Sequence, residues 1–151
     1  DESMNILIHT IDFGTPEYDE AVRLRFDVLR APLGLNYTPE QLAEEYDQVH
    51  LAGFDRQGAM VAYLNLTPAG EGVVKMRQVA VAPAWQGKGV GSMLVAESEK
   101  TALSLGFSIM TLHARETAVS FYERLGYSRV GERFEEVTIP HFKMEKTLAM
   151  Y

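Results

Sequence analysis

The stretch RQVAVAPAWQGKGVGSMLV, Arg77 to Val95, passes from an apolar, β-rich run through three glycines at alternate positions into a helix-periodic run. Backbone amides at the start of a helix, uncovered by side chains, make a cradle for phosphate, and the helix dipole adds partial positive charge there. Gly87, Gly89 and Gly91 leave that backbone bare, and Lys88 adds one fixed charge. Two common phosphate motifs do not fit. A P-loop needs glycine five positions before its Gly-Lys and Ser or Thr after the lysine; those positions hold Ala82 and Gly89. The dinucleotide fingerprint G-x-G-x-x-G fails because its third glycine would fall on Ser92 or Leu94, and no N-terminal βαβ unit surrounds it. A glycine-rich turn without a ligand is the plainer alternative.

Outward from this loop, the pattern is that of one packed α/β unit. MNILIHTIDF alternates as a strand does. Thr15 as N-cap, Pro16 at the first helical position, and apolar Ala21, Leu24, Val28 and Leu29 predict a helix ending near Pro32. Thr38, Pro39 and Gln41 repeat the signal with a capping-box spacing and predict a second, short helix. HLAGFD, AMVAYLNLTP and GVVKMRQVAVAP are β-rich and joined by RQG and AGEG, which predicts an antiparallel meander. Val90, Met93, Leu94, Ala102 and Leu105 mark the apolar side of a helix stopped by Gly106. FSIMTLHA is a strand, ETAVSFYERLG a helix with Val119, Phe121 and Tyr122 turned inward, and YSRVGERFEEVTIPHFKMEKTL supplies two final strands. That order of elements is an α+β fold, layered α/β/α.

Composition bounds the partners. The 151 residues, 46% hydrophobic, fit a single domain over 1–151. Fourteen basic against twenty-one acidic side chains give a formal charge of −7, which repels phosphate backbones and anionic lipid. Neither nucleic acid nor membrane is expected as a partner, and a cationic acceptor suits the field. With no cysteine there is no disulfide, thiolate metal site or cysteine nucleophile, and a reducing, cytoplasmic location is expected. No apolar run approaches the roughly 18 residues of a membrane span, and the N-terminus lacks the build of a signal peptide. Asp1, Glu2 and Ser3 precede Met4 and read as an appended remnant.

QGKGVG, preceded by VAVAP, resembles the acetyl-CoA loop Gln/Arg-x-x-Gly-x-Gly/Ala of the GNAT N-acetyltransferase superfamily. FYERLGY, Phe121 to Tyr127, resembles that family's second hallmark at the expected distance downstream, and the element order is similar over nearly the whole chain. The resemblance implies a mixed, mostly antiparallel sheet with helices on both faces, acetyl-CoA as cosubstrate, no metal, and a primary amine on a small molecule or peptide as acceptor. It implies that Gln86, Gly87, Lys88, Gly89, Val90, Gly91 and Ser92 wrap the coenzyme A pyrophosphate, mostly through main-chain amides. Val79, Ala80 and Val81 would pair their backbone with the pantetheine arm as with a short extra strand; an ordinary core strand explains their composition equally well. Phe121 falls on the cofactor side by the same carry-over. Many family members have asparagine three residues before the alanine of the tyrosine helix, where this chain has Arg115 before Ala118. Arg115 is therefore open between a phosphate contact, an acidic substrate group and a solvated surface position.

Acetyl transfer to an amine needs a neutral nucleophile, donors for the oxyanion of the tetrahedral intermediate, and an acid for the departing thiolate. No covalent enzyme intermediate is required, in keeping with the absence of cysteine and of a G-x-S-x-G elbow. Tyr122 matches the tyrosine the family often places near the thioester sulfur as general acid; a packed core tyrosine with a satisfied hydroxyl is the alternative. For the base, FEEVTIPHFKM offers Glu135, Glu136 and His141. Counting by twos along an extended strand puts Glu135 on the side of His141, whereas a bend at Pro140, or resemblance to acetyltransferases ending E-x-x-I-P-H-x-x-M, points to Glu136. Water is a further alternative. Imidazole suits the task because its ordinary pKa is near neutrality. His9, His50 and His113 show no ligand spacing, so no metal site is expected; His113 either lines a cleft or packs. The resemblance puts RLRFDVLRAPLGLNYTPEQLAEEYD on the acceptor side, where Glu44, Glu45 and Asp47 either attract a cationic amine or form a solvated face. An exposed final strand would favour a homodimer. The reading from another class is a non-catalytic acyl-CoA sensor or interaction module.

Overall fold

The fold, obtained as a computed structural model, is described for residues 5–148. Seven strands form one sheet in the order β1-β2-β3-β4-β5-β7-β6. β2 (Val49–Phe54), β3 (Met60–Gly70) and β4 (Val73–Val81) are the expected antiparallel meander, and β1 (Leu7–Ile11) pairs antiparallel with β2 at its edge. Asp55 shapes its first turn, its carboxylate accepting from the amides of Gln57 and Ala59, both at 2.9 Å. A crossover through α3 (Val90–Ser104) then brings β5 (Ile109–Arg115) parallel to β4, the sheet's single parallel pair. After α4 (Val119–Arg124), the chain ends in a hairpin of β6 (Ser128–Glu136) and β7 (Ile139–Thr147), with β7 inserted between β5 and β6.

The last strand is therefore internal, which corrects the expectation of an exposed final strand. The edge at that end of the sheet is β6, and it is highly charged and bulged between Val130 and Phe134. Both features discourage strand-to-strand pairing. A second correction concerns Leu105, which is 54% exposed because α3 has already ended at Ser104.

Alternation along the strands builds two cores, one per face. Leu51, Leu64, Leu66, Met76, Met110, Leu112 and Met144 join Leu94 of α3 and Tyr122 of α4. On the other face Ala52, Phe54, Met60 and Tyr63 pack against Ala21 of α1 (Pro16–Arg25). Each such large apolar side chain contributes about 1.5–3 kcal/mol on burial. On the meander side of this second face α1 covers the sheet; farther along, β4, β5 and β7 turn polar residues to the same side.

Both helix caps read from the sequence form. Thr15 Oγ1 accepts from the Tyr18 amide at 3.3 Å, and Thr38 and Gln41 complete the capping box of α2 (Pro39–Ala43). Beyond Arg25 the first helix widens into a π-helical turn, Phe26–Arg30, and then a 3₁₀ turn through Pro32 to Gly34 in the left-handed region.

What fastens this segment is a buried ion pair. Arg25, 0% exposed, donates through Nη1 and Nη2 to the two carboxylate oxygens of Glu45, both at 2.8 Å, and the Tyr18 hydroxyl donates to the same carboxylate at 2.7 Å. His50 Nε2 lies 3.0 Å from the Glu45 carbonyl, which can only accept, so Nε2 carries the proton and Nδ1 accepts from the Tyr63 hydroxyl at 2.6 Å. Glu45 is thus a structural anchor and not a free attractant for a cationic amine. Burial works to raise the Glu45 pKa, but the Arg25 and Tyr18 contacts outweigh it and hold the carboxyl below its ordinary value. Its stabilisation is therefore present above the usual carboxylate range and is lost as pH falls through the folded-state value. Glu45→Gln should strand the Arg25 charge and destabilise the domain by about 3–5 kcal/mol in urea titration, while Arg25→Met with Glu45→Leu should recover most of that loss.

Candidate active site

β4 and β5 pair only through Val73–Met76 and Ile109–Leu112, after which β4 stays with β3 and β5 with β7. A bulge accompanies the parting. Between the pairs Asn65–Arg77 and Tyr63–Ala80, β4 spends two residues, Gln78 and Val79, opposite Leu64 alone. Such an insertion bends the strand and increases its twist. Gln78 takes φ 59°, a left-handed conformation that costs a non-glycine residue about 1–2 kcal/mol, and the Tyr37 hydroxyl holds its side chain at 2.6 Å. The Ala82 amide donates to Val61 of β3 at 2.8 Å, so alternation turns the amides of Val79 and Val81 away from β3 and into the gap.

At the open end of the gap stands the glycine loop. The Gln86 side chain donates to the Val81 carbonyl at 2.9 Å and ties the loop to the strand. Gly87 (φ 75°) and Gly89 (φ 83°) are left-handed, and open space lies where a Cβ would point at either. Gly89 is the N-cap of α3, without a side-chain cap, and Met93 donates to its carbonyl at 3.1 Å. The amides of Val90, Gly91 and Ser92 consequently have no acceptor in the preceding turn of helix. The Lys88 ammonium lies 5.4 Å from the Trp85 ring centroid. Gly91 does something different from its two neighbours: a Cβ there would come within 3.4 Å of Phe121 Cζ and 3.7 Å of Val81 Cγ2. Its bareness admits an aromatic ring beneath the loop.

The FYERLGY segment divides its work residue by residue. Phe121 packs under Gly91, and Tyr122 sits edge-to-face against both Phe121 and Tyr127. Gly126, at φ 98°, ends the turn beside Lys146. The Tyr127 hydroxyl donates to Glu99 of α3 at 2.8 Å, and Lys146 bridges Glu99 and the Leu125 carbonyl at 2.9 and 2.8 Å. This fastening presents Tyr122, 7% exposed, to the cleft between the parted strands. Its hydroxyl makes no hydrogen bond among the described residues, and burial pushes its pKa up to about 12.

The cleft has a volume of about 520 Å³. Its polar floor comes from the alternation that placed Met76 and Leu112 in the core: Lys75 and Arg77 of β4, His113 and Arg115 of β5, and His141 of β7 point to the opposite face. Glu136 joins them through the terminal hairpin. Val137 (φ 46°) and Thr138 (φ 62°) form its two-residue turn, with Glu136 paired to Ile139 and Phe134 to His141. Positive φ at both turn positions is the type I′ pattern. The turn reverses the count by twos, so Glu136 shares the face of His141, and Glu135, paired with Pro140, lies on the other.

Glu136 Oε1 is 2.9 Å from His113 Nδ1 and its Oε2 is 3.7 Å from His141 Nε2. Burial raises the Glu136 pKa, but the His113 hydrogen bond and charge, with His141 and Lys75, overcome this and leave it lowered. The ionised carboxylate only accepts, so His113 Nδ1 donates to it. The Lys75 ammonium, 3.3 Å from that same nitrogen, faces a second donor. Burial depresses the Lys75 pKa; Glu136 opposes this, while Arg77 and Lys143 reinforce it. His141, 4% exposed, has Nδ1 2.7 Å from the Ile139 carbonyl, so that nitrogen is the donor and Nε2 faces Glu136. Arg115 reaches across the cleft and donates to the Leu29 carbonyl of the π-helical turn at 3.3 Å.

The sequence pattern of an acetyltransferase (GNAT) domain matches residues 30–148. The chain belongs to the GNAT acetyltransferase family. By class it is an acyl-CoA-dependent N-acetyltransferase. A protein of Bacillus subtilis (strain 168) assigned as an acetyltransferase is 29% identical over 112 residues, covering 70% of this chain and 76% of that protein. A Lactobacillus plantarum structure assigned as an N-acetyltransferase superposes with a TM-score of 0.86 over 95% of this chain and 99% of that one, at 23% identity. An aminoglycoside 6′-N-acetyltransferase complexed with coenzyme A gives 0.80 over 96% and 98%, at 19% identity. At those identities the two structures are evidence of a shared fold.

In this GNAT domain the residues singled out from the sequence fall into three places. Val79, Val81 and the Gln86–Ser92 loop border the open edge of β4; Tyr122, Glu136, His141 and Arg115 line the cleft; Phe121 and Glu135 lie outside it, as does Ala80, which against expectation is paired with Tyr63 of β3 and does not offer its amide to the open edge. Sequence reasoning missed Lys75, Arg77 and Arg30 as cleft residues and left His113 open between cleft lining and packing. Their strand parity was readable, but which face α1 leaves open was not. Since the two loop glycines differ in surroundings, their substitutions should differ too. Gly89→Asn, tolerated in the left-handed region, should keep the melting temperature within a few degrees and weaken coenzyme A binding at least about tenfold in calorimetry. Gly91→Val should displace Phe121 and lower the melting temperature itself.

Proposed function

We propose that this protein transfers the acetyl group of acetyl-CoA to a primary amine by direct attack, with Tyr122 as general acid and His141, backed by Glu136, as general base. The observation that carries the reading is the continuity of the open β4 edge. It runs from a cradle of bare helix amides to a cleft bearing an unpartnered tyrosine hydroxyl and a carboxylate–imidazole pair.

The loop fits a pyrophosphate by its free amides, open Cβ positions and helix dipole. The amides of Val79 and Val81 suit the pantetheine arm, held as an added strand. Acetyl-CoA supplies an activated acyl group as its thioester, so the protein needs no nucleophile of its own. His141 donates an Nδ1–H hydrogen bond to the Ile139 carbonyl, which leaves Nε2 to take a proton from the incoming ammonium, and Glu136 stabilises the imidazolium that results. His113, donating to Glu136, fixes the carboxylate's orientation. Tyr122, without a competing acceptor, keeps its proton through neutral and alkaline pH for the departing sulfur.

Acceptor-dependent release of free coenzyme A from acetyl-CoA tests the proposal, since a binding module would hold the ligand without turnover. Tyr122→Phe retains the ring and its packing, and it should lower the single-turnover rate by about ten- to ten-thousandfold, with coenzyme A affinity and melting temperature near wild type. An unchanged rate would return Tyr122 to a packing role. Because burial pushes the hydroxyl's pKa up to about 12, Tyr122→Phe should leave the shape of the alkaline limb of the pH profile unchanged, whereas Glu136→Gln should alter the acidic limb.

A further inference from the structure

The chain carries a formal charge of −7, yet the cleft has the opposite sign. Arg30, Lys75, Arg77 and Arg115 line it against the single carboxylate of Glu136. Two of these cations have nearby polar partners or competing donors: Lys75 meets His113 and feels Glu136, and Arg115 holds the Leu29 carbonyl, but neither of the remaining two, both arginines, meets a carboxylate. Arg30 only lies over the Tyr37 ring at 4.5 Å, and Arg77 makes no hydrogen bond or ion pair among the described residues. Both are partly buried.

These two guanidinium groups, with Gln78, also border a second cavity of about 190 Å³ beyond the cleft. Two glutamates face that smaller space. Glu45 is engaged by Arg25 and Tyr18, and Glu44 is not within ion-pair distance of either arginine. Nor does the cosubstrate account for the pair. Arg77 precedes the bulge, four strand residues before Val81, which puts it roughly 13 Å from the loop end of the open edge. Partly desolvated, unpaired guanidinium forks are a costly arrangement unless an oxyanion completes them, and their planar geometry suits carboxylate or phosphate.

Resting on the acetyltransferase reading, we infer that the acceptor is an anionic amine, whose carboxylate or phosphate is held by Arg30 and Arg77 while its amino group is presented to His141 and Tyr122. The sign of the cleft then overrides that of the whole chain in choosing the substrate.

Matched pairs test this. Acetyl-CoA turnover is measured with the proteinogenic amino acids against their amides, with phosphoethanolamine against ethanolamine, and with spermidine as a cationic amine. The expected result is a kcat/KM at least about tenfold higher for the anionic member of one pair, and which pair responds tells carboxylate from phosphate. The α-ammonium group of an amino acid amide gives up its proton more readily than that of the amino acid, so intrinsic reactivity works against this outcome. Arg77→Gln should collapse that ratio at least about tenfold while coenzyme A affinity, read by calorimetry, is unchanged. Preference for ethanolamine, amides or spermidine would overturn the inference and leave the acetyltransferase reading standing. So would an Arg77→Gln variant that loses coenzyme A binding with the ratio intact. No coenzyme A release with any member, and no calorimetric binding of the anionic amines to the coenzyme A-loaded protein, would reject both.

Discussion

Most of what this domain can do follows from the fact that β4 leaves β5 after four paired residues. A parallel pair buried on both faces would normally run on, because each ladder bond left unmade exposes a backbone donor or acceptor. Here the bulge at Gln78 redirects β4, and the separated edges form a slot through the sheet. The slot puts two environments in contact. From one face comes the hydroxyl of Tyr122, carried by a helix locked to α3 through Tyr127 and Glu99; on the other lie the imidazoles and Glu136. Neither face alone has both the phenol and the imidazole–carboxylate pair.

A polar floor of this kind is stable only if its neighbours exclude other arrangements. The Arg25–Glu45 pair serves that end by fixing the end of α1, so the π-helical turn projects Arg30 and the Leu29 carbonyl over the cleft. Tyr37 joins the two systems, since its ring lies near both Arg25 and Arg30 and its hydroxyl holds the bulged Gln78. The structural ion pair and the strained strand are thereby parts of one assembly. Net charge is a poor guide to the cleft, because most acidic side chains lie elsewhere, while Arg30, Lys75, Arg77 and Arg115 line it against the one carboxylate of Glu136.

Local signals in the sequence carried far. Thr15, Thr38 and Gln41 cap as their spacing says, the glycine loop begins a helix, and the element order matches throughout. What local pattern could not carry was long-range pairing. β7 is inserted between β5 and β6, so the final strand is not the edge, and nothing within its nine residues announces that. The choice between Glu135 and Glu136 turned on two β-branched residues, Val137 and Thr138, which are poor candidates for a type I′ turn and gave no warning of one. Glu45 looked like one of several helix acids, because its partner Arg25 lies twenty residues earlier. Lys75 and Arg77 were legible as one face of a strand, but not as the uncovered one.

The same parting of β4 and β5 divides the sheet into two blocks, a four-stranded antiparallel unit and a three-stranded one, joined by one short parallel ladder and by the helix that crosses between them. Cooperative opening would concentrate at that seam, where the fewest hydrogen bonds cross. A ligand lying along the seam therefore acts as a splint as well as a reactant. Amide protons of Val79 and Val81, which face no partner strand across the gap, would become protected once the splint is in place, and the two halves would then unfold as one.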